Sequence, residues 1–176
     1  RVLPKLSFLN QDALFILREE LDEPRNYFYI LKSIAKGNTQ LASITNDTGL
    51  QRGLVGKYLS VLCDLQIVER DVPVTELHAE RSRRGIYRMR DPYFRFWFRF
   101  VFENYGFLES AGPRKTMHEK IAPEFNAYVG TVFEDIALQW LKGRKELGGY
   151  VLGRWWHNEK EIDIVGLDAA NKRMLV

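Results

Sequence analysis

Two carboxylates in the last third of the chain have residue types and positions that suit binding of a divalent cation. Glu134 lies in segment 121–142, whose apolar residues recur at helical spacing, and Asp163 lies in segment 161–166, where acidic and apolar residues alternate as in a strand. Carboxylates that converge on Mg²⁺ help it to generate a hydroxide and to stabilise a leaving oxygen. Spacing alone leaves two interpretations open, because acids at strand edges are also common as solvated side chains.

The order of the predicted elements around these acids indicates which kind of metal site they would belong to. A helix over 121–142 precedes strands over 150–156 and 161–166, and a third strand starts at the end of the chain. A nuclease core of the restriction-endonuclease type begins in this order and takes a Glu from the first helix, an Asp from the second strand and Glu-x-Lys from the third. Glu134 and Asp163 fill the first two roles, and the third is absent from these residues.

A local excess of arginine indicates a second kind of chemistry. Residues 78–90 hold five arginines against one acid, Glu80, although the net charge of the whole chain is only +3. A basic stripe of this kind is typical of a phosphate-binding surface. A solvated loop is the competing interpretation. The five residues are Arg81, Arg83, Arg84, Arg88 and Arg90.

The elements on either side of these arginines have the order of a winged helix-turn-helix domain. We expect a short helix over 40–46, a turn with Gly49, a recognition helix over 51–65, and two wing strands over 67–75 and 86–90. Winged helices also serve as protein–protein modules, so DNA contact and a purely structural or regulatory role both stay open. The predicted DNA-binding residues are Arg52, Lys57 and Ser60 of the recognition helix and Arg81, Arg83 and Arg84 of the wing tip.

Capping and turn residues predict the remaining boundaries. Thr39 is predicted to cap the short helix, and Asp91 with Pro92 predicts the start of an aromatic-rich helix. A helix that is hydrophobic on all sides is usually buried, although interleaved aromatic and basic residues would also suit base stacking. The glycines and proline within 106–113 predict a linker, so we place a domain boundary near Ser110.

Composition limits the class of protein. The chain has 176 residues, 45% hydrophobic and 28% charged, which suits one ordinary or two small globular domains. No apolar run approaches the length of a membrane span. The single cysteine, Cys63, excludes a disulfide framework and predicts a reducing, cytoplasmic location. No zinc site is expected, because the three histidines lack partners at ligand spacing: His78, His118 and His157.

Blocks of sequence that fall in order along nearly the whole chain carry a family resemblance. They are ALFILREEL (13–21), GIYR (85–88), DPYFRFWFRF (91–100), VGTVFE (129–134), and GRWW (153–156) with EID (161–163). The chain resembles the C-terminal part of an archaeal-type AAA+/STAND-like ATPase family. The resemblance implies a longer parent with an ATPase domain, a lid, a winged helix and a nuclease-like domain of unassigned function.

The resemblance divides the chain into three parts. Residues 1–22 would end the ATPase lid, residues 23–110 would form the winged helix with its aromatic helix, and residues 111–176 would form a truncated nuclease-like domain. The predicted fold class is therefore α+β, with a mainly helical winged helix-turn-helix domain followed by an incomplete restriction-endonuclease-like α/β core.

Two departures from the family pattern bear on activity. No Gly-x-x-x-x-Gly-Lys-[Ser/Thr] loop occurs, so ATP would be bound by the parent's ATPase domain and not by these residues. The family's Glu-Cys-Lys segment would follow Val176, so we expect neither DNA cleavage nor a cofactor in this chain, and Mg²⁺ would belong to a complete nuclease-like domain.

Three functions remain as hypotheses. The one we favour is a DNA-binding, regulatory winged helix whose partners are DNA and the parent's ATPase domain, with no membrane contact. The second is a fragment of a metal-dependent nuclease with Glu134 and Asp163 as catalytic ligands. The third is a protein–protein coupling module that does not bind DNA.

Overall fold

The computed structural model describes Phe15, Leu17 and residues 24–76, 78–158 and 160–176. The predicted end of the lid, 1–22, lies outside the described residues except for those two side chains. The chain divides into two compact units, one of which contains the residues up to Arg70 together with Ile86–Asn126. The other contains Asp71–Gly85 and Ala127–Val176.

The first unit begins with the helices α1 (Pro24–Ala35), α2 (Leu41–Thr48) and α3 (Arg52–Asp64). The positions of α2 and α3 confirm the two helices predicted from the apolar spacing. A helix-turn-helix order needs a sharp turn between them, and Gly49 supplies it with a left-handed φ of 68°. Its amide donates to Thr45 O at 3.0 Å and so satisfies a carbonyl at the end of α2.

The predicted N-cap of α2 is wrong by one residue. Gln40 is the N-cap, because its amide donates to Ser43 Oγ at 3.2 Å and the Ser43 hydroxyl donates back to Gln40 O at 2.8 Å. Thr39 instead accepts a hydrogen bond from the Tyr87 amide at 2.7 Å through its carbonyl oxygen. A serine three residues after the cap is a local signal that outweighs the cap preference of threonine.

The strands β1 (Val68–Asp71) and β2 (Ile86–Met89) pair in a two-stranded sheet, as predicted. The predicted extension of the first strand through 73–75 is wrong. Pro73 has no amide hydrogen to continue a ladder, and the Val74 amide donates to Arg154 O at 2.8 Å instead. We call residues 72–85 the hairpin tip; it contains a short 3₁₀ turn at Ala79–Arg81.

The aromatic helix consists of α4 (Pro92–Phe96) and a π-helical segment, Trp97–Phe102, that continues it. The Asp91 carboxylate accepts a hydrogen bond from the Tyr93 amide at 2.7 Å, which confirms the predicted cap. Burial of the helix is also confirmed, because Trp97, Phe98 and Phe100 are at most 1% exposed. Trp97 and Phe98 belong to the core of the first unit together with apolar residues of α1 and α3: Phe28, Ile30, Leu31, Val55, Leu59 and Leu62.

A continuous helical stretch follows the aromatic helix. It comprises α5 (Tyr105–Thr116), a π-helical turn (Met117–Ile121) and α6 (Ala122–Lys142). The prediction of an irregular linker over these residues is therefore wrong, because they are helical. Gly112, with φ 82° and ψ 169°, kinks the stretch, and Pro113 restarts the helix because proline suits a first helical turn. The predicted boundary near Ser110 lies two residues before this kink.

The second unit contains an antiparallel sheet in the order β3 (Val151–His157), β4 (Lys160–Asp168), β5 (Arg173–Leu175). All three strands were expected, the second of them from its alternation of acidic and apolar residues, and the α+β class is confirmed. A register shift interrupts the pairing of β3 with β4 between Gly153 and Trp155. No helix among the described residues is long and apolar enough to cross a membrane.

Candidate nucleic-acid interface

The exposed face of α3 carries all three residues predicted to contact DNA on this helix. Arg52, Lys57 and Ser60 are exposed, and the opposite face packs into the core through Val55, Tyr58, Leu59 and Leu62. Two glycines lie between the polar residues, and a Cβ at either one would meet nothing within 4 Å, so the backbone of this face is open to close approach: Gly53 and Gly56.

The hairpin tip divides its arginines into two kinds. Arg81 and Arg83 are exposed, whereas Arg84 is partly buried. The Arg84 guanidinium forms an ion pair with Glu76 at 3.0 Å and donates to the carbonyl of Trp156. The Trp156 indole in turn donates to Arg84 O at 3.1 Å. Arg84 therefore holds the tip against β3 within the second unit.

Further contacts tie the tip to the same strand. The Val74 amide donates to Arg154 O, and a side chain at Gly153 would meet the Val74 Cβ at 3.0 Å. Glycine at this position therefore allows the tip to lie directly on the strand. This contact could not be predicted from the sequence, because it joins residues about 80 positions apart that share no local pattern.

The most deeply buried charge in the second unit is one that sequence reasoning missed. Arg154 is 3% exposed and forms an ion pair with Asp135 through Nη2. Its Nη1 lies 3.8 Å from Asp71 Oδ2. A lone arginine within an otherwise apolar strand was the available signal, because a buried guanidinium needs acidic partners.

The two predicted metal ligands lie on the expected elements. Glu134 is half-buried on α6, and Asp163 is exposed on β4. The acid next to Glu134, Asp135, is committed to Arg154. Within the described ranges, no three His, Cys, Asp or Glu side chains form a group that could hold a metal ion. The residues present therefore do not complete a Mg²⁺ site, and metal binding stays a prediction.

Two groups of the first unit, Glu103 and Cys63, have shifted pKa values. Burial opposes ionisation of Glu103, but hydrogen bonds from Lys32 and Lys36 outweigh burial and hold the pKa of this carboxyl below its ordinary value. The two ammonium groups lie 2.7 and 3.0 Å from its oxygens. Burial raises the pKa of the Cys63 thiol. Glu103 thus neutralises two lysines of α1, Lys32 and Lys36.

Comparison with known proteins finds one family model that matches part of the chain. Residues 97–176 match the model of the DUF234 family, which is described as archaeal and bacterial proteins of unknown function. The matched segment is slightly less than half of the chain. It begins in the aromatic helix and includes Arg154 and both predicted metal ligands.

One relative is similar to nearly the whole chain. An uncharacterised protein of Methanocaldococcus jannaschii is 33% identical in an alignment of 174 residues that covers 96% of this chain and 38% of the relative. The chain therefore spans less than two fifths of that relative's length. No solved structure matches the chain. The resemblance to an ATPase family stays a prediction.

Proposed function

We propose that this part of the DUF234-containing protein is a DNA-binding, regulatory winged helix. In this proposal α3 is the recognition helix and the hairpin tip is the wing. The contacts to DNA are made by Arg52, Lys57 and Ser60 on α3 and by Arg81 and Arg83 on the tip. Arg84, which was predicted to contact DNA as well, positions the wing through its bonds to Glu76 and Trp156.

One observation carries the proposal. Of the described arginines, several are paired with acids: Arg84, Arg99, Arg144 and Arg154. By contrast, the basic side chains on the open faces of α3 and the tip have no acidic partner among the residues that the structure describes: Arg52, Lys57, Arg81 and Arg83. Exposed cations that no acid neutralises are free to contact phosphate groups, and each such contact releases counterions from the DNA.

The test is fluorescence anisotropy of the 176-residue chain with a labelled duplex at several salt concentrations. We expect affinity to fall steeply with salt. The pair Arg52→Gln/Lys57→Gln and the pair Arg81→Gln/Arg83→Gln should each reduce the salt slope by about two, because each lost phosphate contact removes about one.

A charge-matched control separates local contact from net charge. The pair Lys115→Gln/Lys142→Gln makes the same change in charge on α5 and α6 and should leave both affinity and slope close to those of the parent chain. Absence of binding at about 50 mM salt would refute the proposal, because non-specific affinity is strong at low salt. An equal loss in the control would attribute binding to total charge and would also contradict it.

A coupling module is the second candidate, and the contacts of the tip favour it. The hairpin tip is joined to β3 by hydrogen bonds of Arg84, Val74 and Trp156. A displacement of the wing would therefore be transmitted to the sheet of the second unit. Tight association with a separately made ATPase domain of the longer protein, together with no DNA binding at low salt, would support this function over the first.

The nuclease hypothesis remains the third candidate and needs the longer protein for its test. Cleavage of DNA by that protein should be lost on Asp163→Ala, because Asp163 would be a metal ligand. Unchanged cleavage by this variant would remove the hypothesis.

A further inference from the structure

An apolar stripe on α6 faces solvent. Its members are 44–67% exposed and follow one another at intervals of four, three and four residues, so they share one side of the helix: Val129, Phe133, Ile136 and Trp140. The other side of the helix is packed, since Tyr128 and Leu138 are at most 7% exposed. The sequence predicted these apolar positions, and the structure leaves them uncovered.

The stripe is large for a free protein surface. The exposed fractions correspond to roughly 450 Å² of apolar area, comparable to the largest patches on monomeric proteins, which are often functional. The Trp140 ring is held in place, because the Arg144 guanidinium lies 4.9 Å from its centroid. Two such stripes in contact would bury on the order of 900 Å², which is below the range of stable specific interfaces and within the range of weak, transient ones.

We infer that a second copy of this chain covers the stripe, with the two α6 helices antiparallel. The intervals between the stripe residues are the same in either direction along the helix. Two antiparallel stripes therefore match across a twofold axis that passes between positions 134 and 135. In this register Phe133 lies opposite Ile136 of the second copy, and Val129 lies opposite Trp140. Large side chains therefore meet smaller ones, as close packing requires.

The chemistry of the stripe fits an identical helix. No charged side chain interrupts the four positions, so an antiparallel partner of the same sequence brings no like charges into the contact. The modest area predicts a weak, reversible dimer. This inference goes beyond the proposed DNA contacts, which lie on other elements.

Sedimentation velocity of the full chain, under reducing conditions because of Cys63, tests the inference over a range of about 1–300 μM. We expect the weight-average mass to rise from monomer towards dimer. Phe133→Glu should weaken association at least about tenfold, because a carboxylate would be buried without a partner. Val151→Glu is the matched control, since Val151 is 66% exposed and Phe133 67%, and it should dimerise like the parent chain.

A charge pair tests the antiparallel register. Phe133→Glu and Ile136→Lys should each be monomeric alone, and their mixture should dimerise, because the two positions face each other only in the antiparallel arrangement. Circular dichroism of each variant should match that of the parent chain, since both positions are exposed. A chain that is monomeric throughout, a dimer that Phe133→Glu leaves intact, or a mixture that stays monomeric would each overturn the inference.

Discussion

Replacing Asp135 with asparagine should destabilise the second unit, because it removes the negative partner of a buried guanidinium. The Arg154 side chain is 4% exposed, and its Nη2 is ion-paired with Asp135. Asp71 is the other acid in reach, at 3.8 Å from Nη1. The Nε atom is buried with no hydrogen-bond partner among the described residues. The arginine therefore depends mainly on Asp135.

The size of the effect follows from the burial of the three groups. Removing one partner of a fully buried ion pair costs about 3–5 kcal/mol, since a charge is left in a poorly solvated site. Two features of this cluster reduce the cost. Asp135 is 26% exposed, so water screens the pair, and Asp71 still offers partial neutralisation. We therefore expect Asp135→Asn to lower the free energy of unfolding by about 2–3 kcal/mol.

Urea unfolding followed by tryptophan fluorescence measures this loss, because Trp155 and Trp156 are adjacent to Arg154 in β3. Asp163→Asn is the matched control: it makes the same chemical change on the exposed side of β4 and should change stability by less than about 0.5 kcal/mol. Arg154→Met should cost less than Asp135→Asn, because an apolar side chain needs no acidic partner. Equal effects of the two asparagine substitutions would refute the reasoning.

Three further predictions concern the first unit. Trp97→Ala should lower the free energy of unfolding by about 3–5 kcal/mol, measured by thermal unfolding, because a fully buried ring leaves a cavity. The pKa of Glu103 is lower in the folded chain than in the unfolded chain. Its contribution to stability is therefore present above about pH 4.3 and is lost as the pH falls through the folded pKa. Glu103→Gln should flatten this part of the pH–stability profile. Because burial raises the pKa of the Cys63 thiol, its alkylation rate should rise at a higher pH than that of glutathione, and an identical pH dependence would contradict the assigned burial.

Local periodicity explains why the helices and strands could be predicted. The apolar spacing in α3 and the alternation in β4 depend on neighbouring residues, and the structure has both elements within two residues of the expected bounds. The Asp91-Pro92 cap was predictable for the same reason, since its hydrogen bond spans two residues. Errors arose at Thr39 and Gly112, where two local signals competed and sequence spacing could not rank them.

The missed contacts share a different cause. The bonds that join Arg84 to Trp156 and Arg154 to Asp71 span more than 70 positions, and no periodic pattern links their members. Helical spacing identified the apolar residues of α6 but not the side that is packed. The packed side holds Asp135, a charged residue that hydrophobic patterning assigns to solvent. It is partly buried here, where it pairs with Arg154.

The arginines of the hairpin tip show how contacts between distant parts of the sequence affect the DNA hypothesis. A count from sequence assigns Arg81, Arg83 and Arg84 equally to the wing, whereas the structure commits Arg84 to Glu76 and Trp156. The triple variant with all three arginines changed to glutamine should therefore reduce the salt slope by about two, like the double variant that keeps Arg84, because each phosphate contact contributes about one. A reduction of about three would mean that Arg84 leaves Trp156 to bind phosphate. The guanidinium would then lose its bond to the Trp156 carbonyl, and a change in tryptophan fluorescence on DNA binding would reveal it.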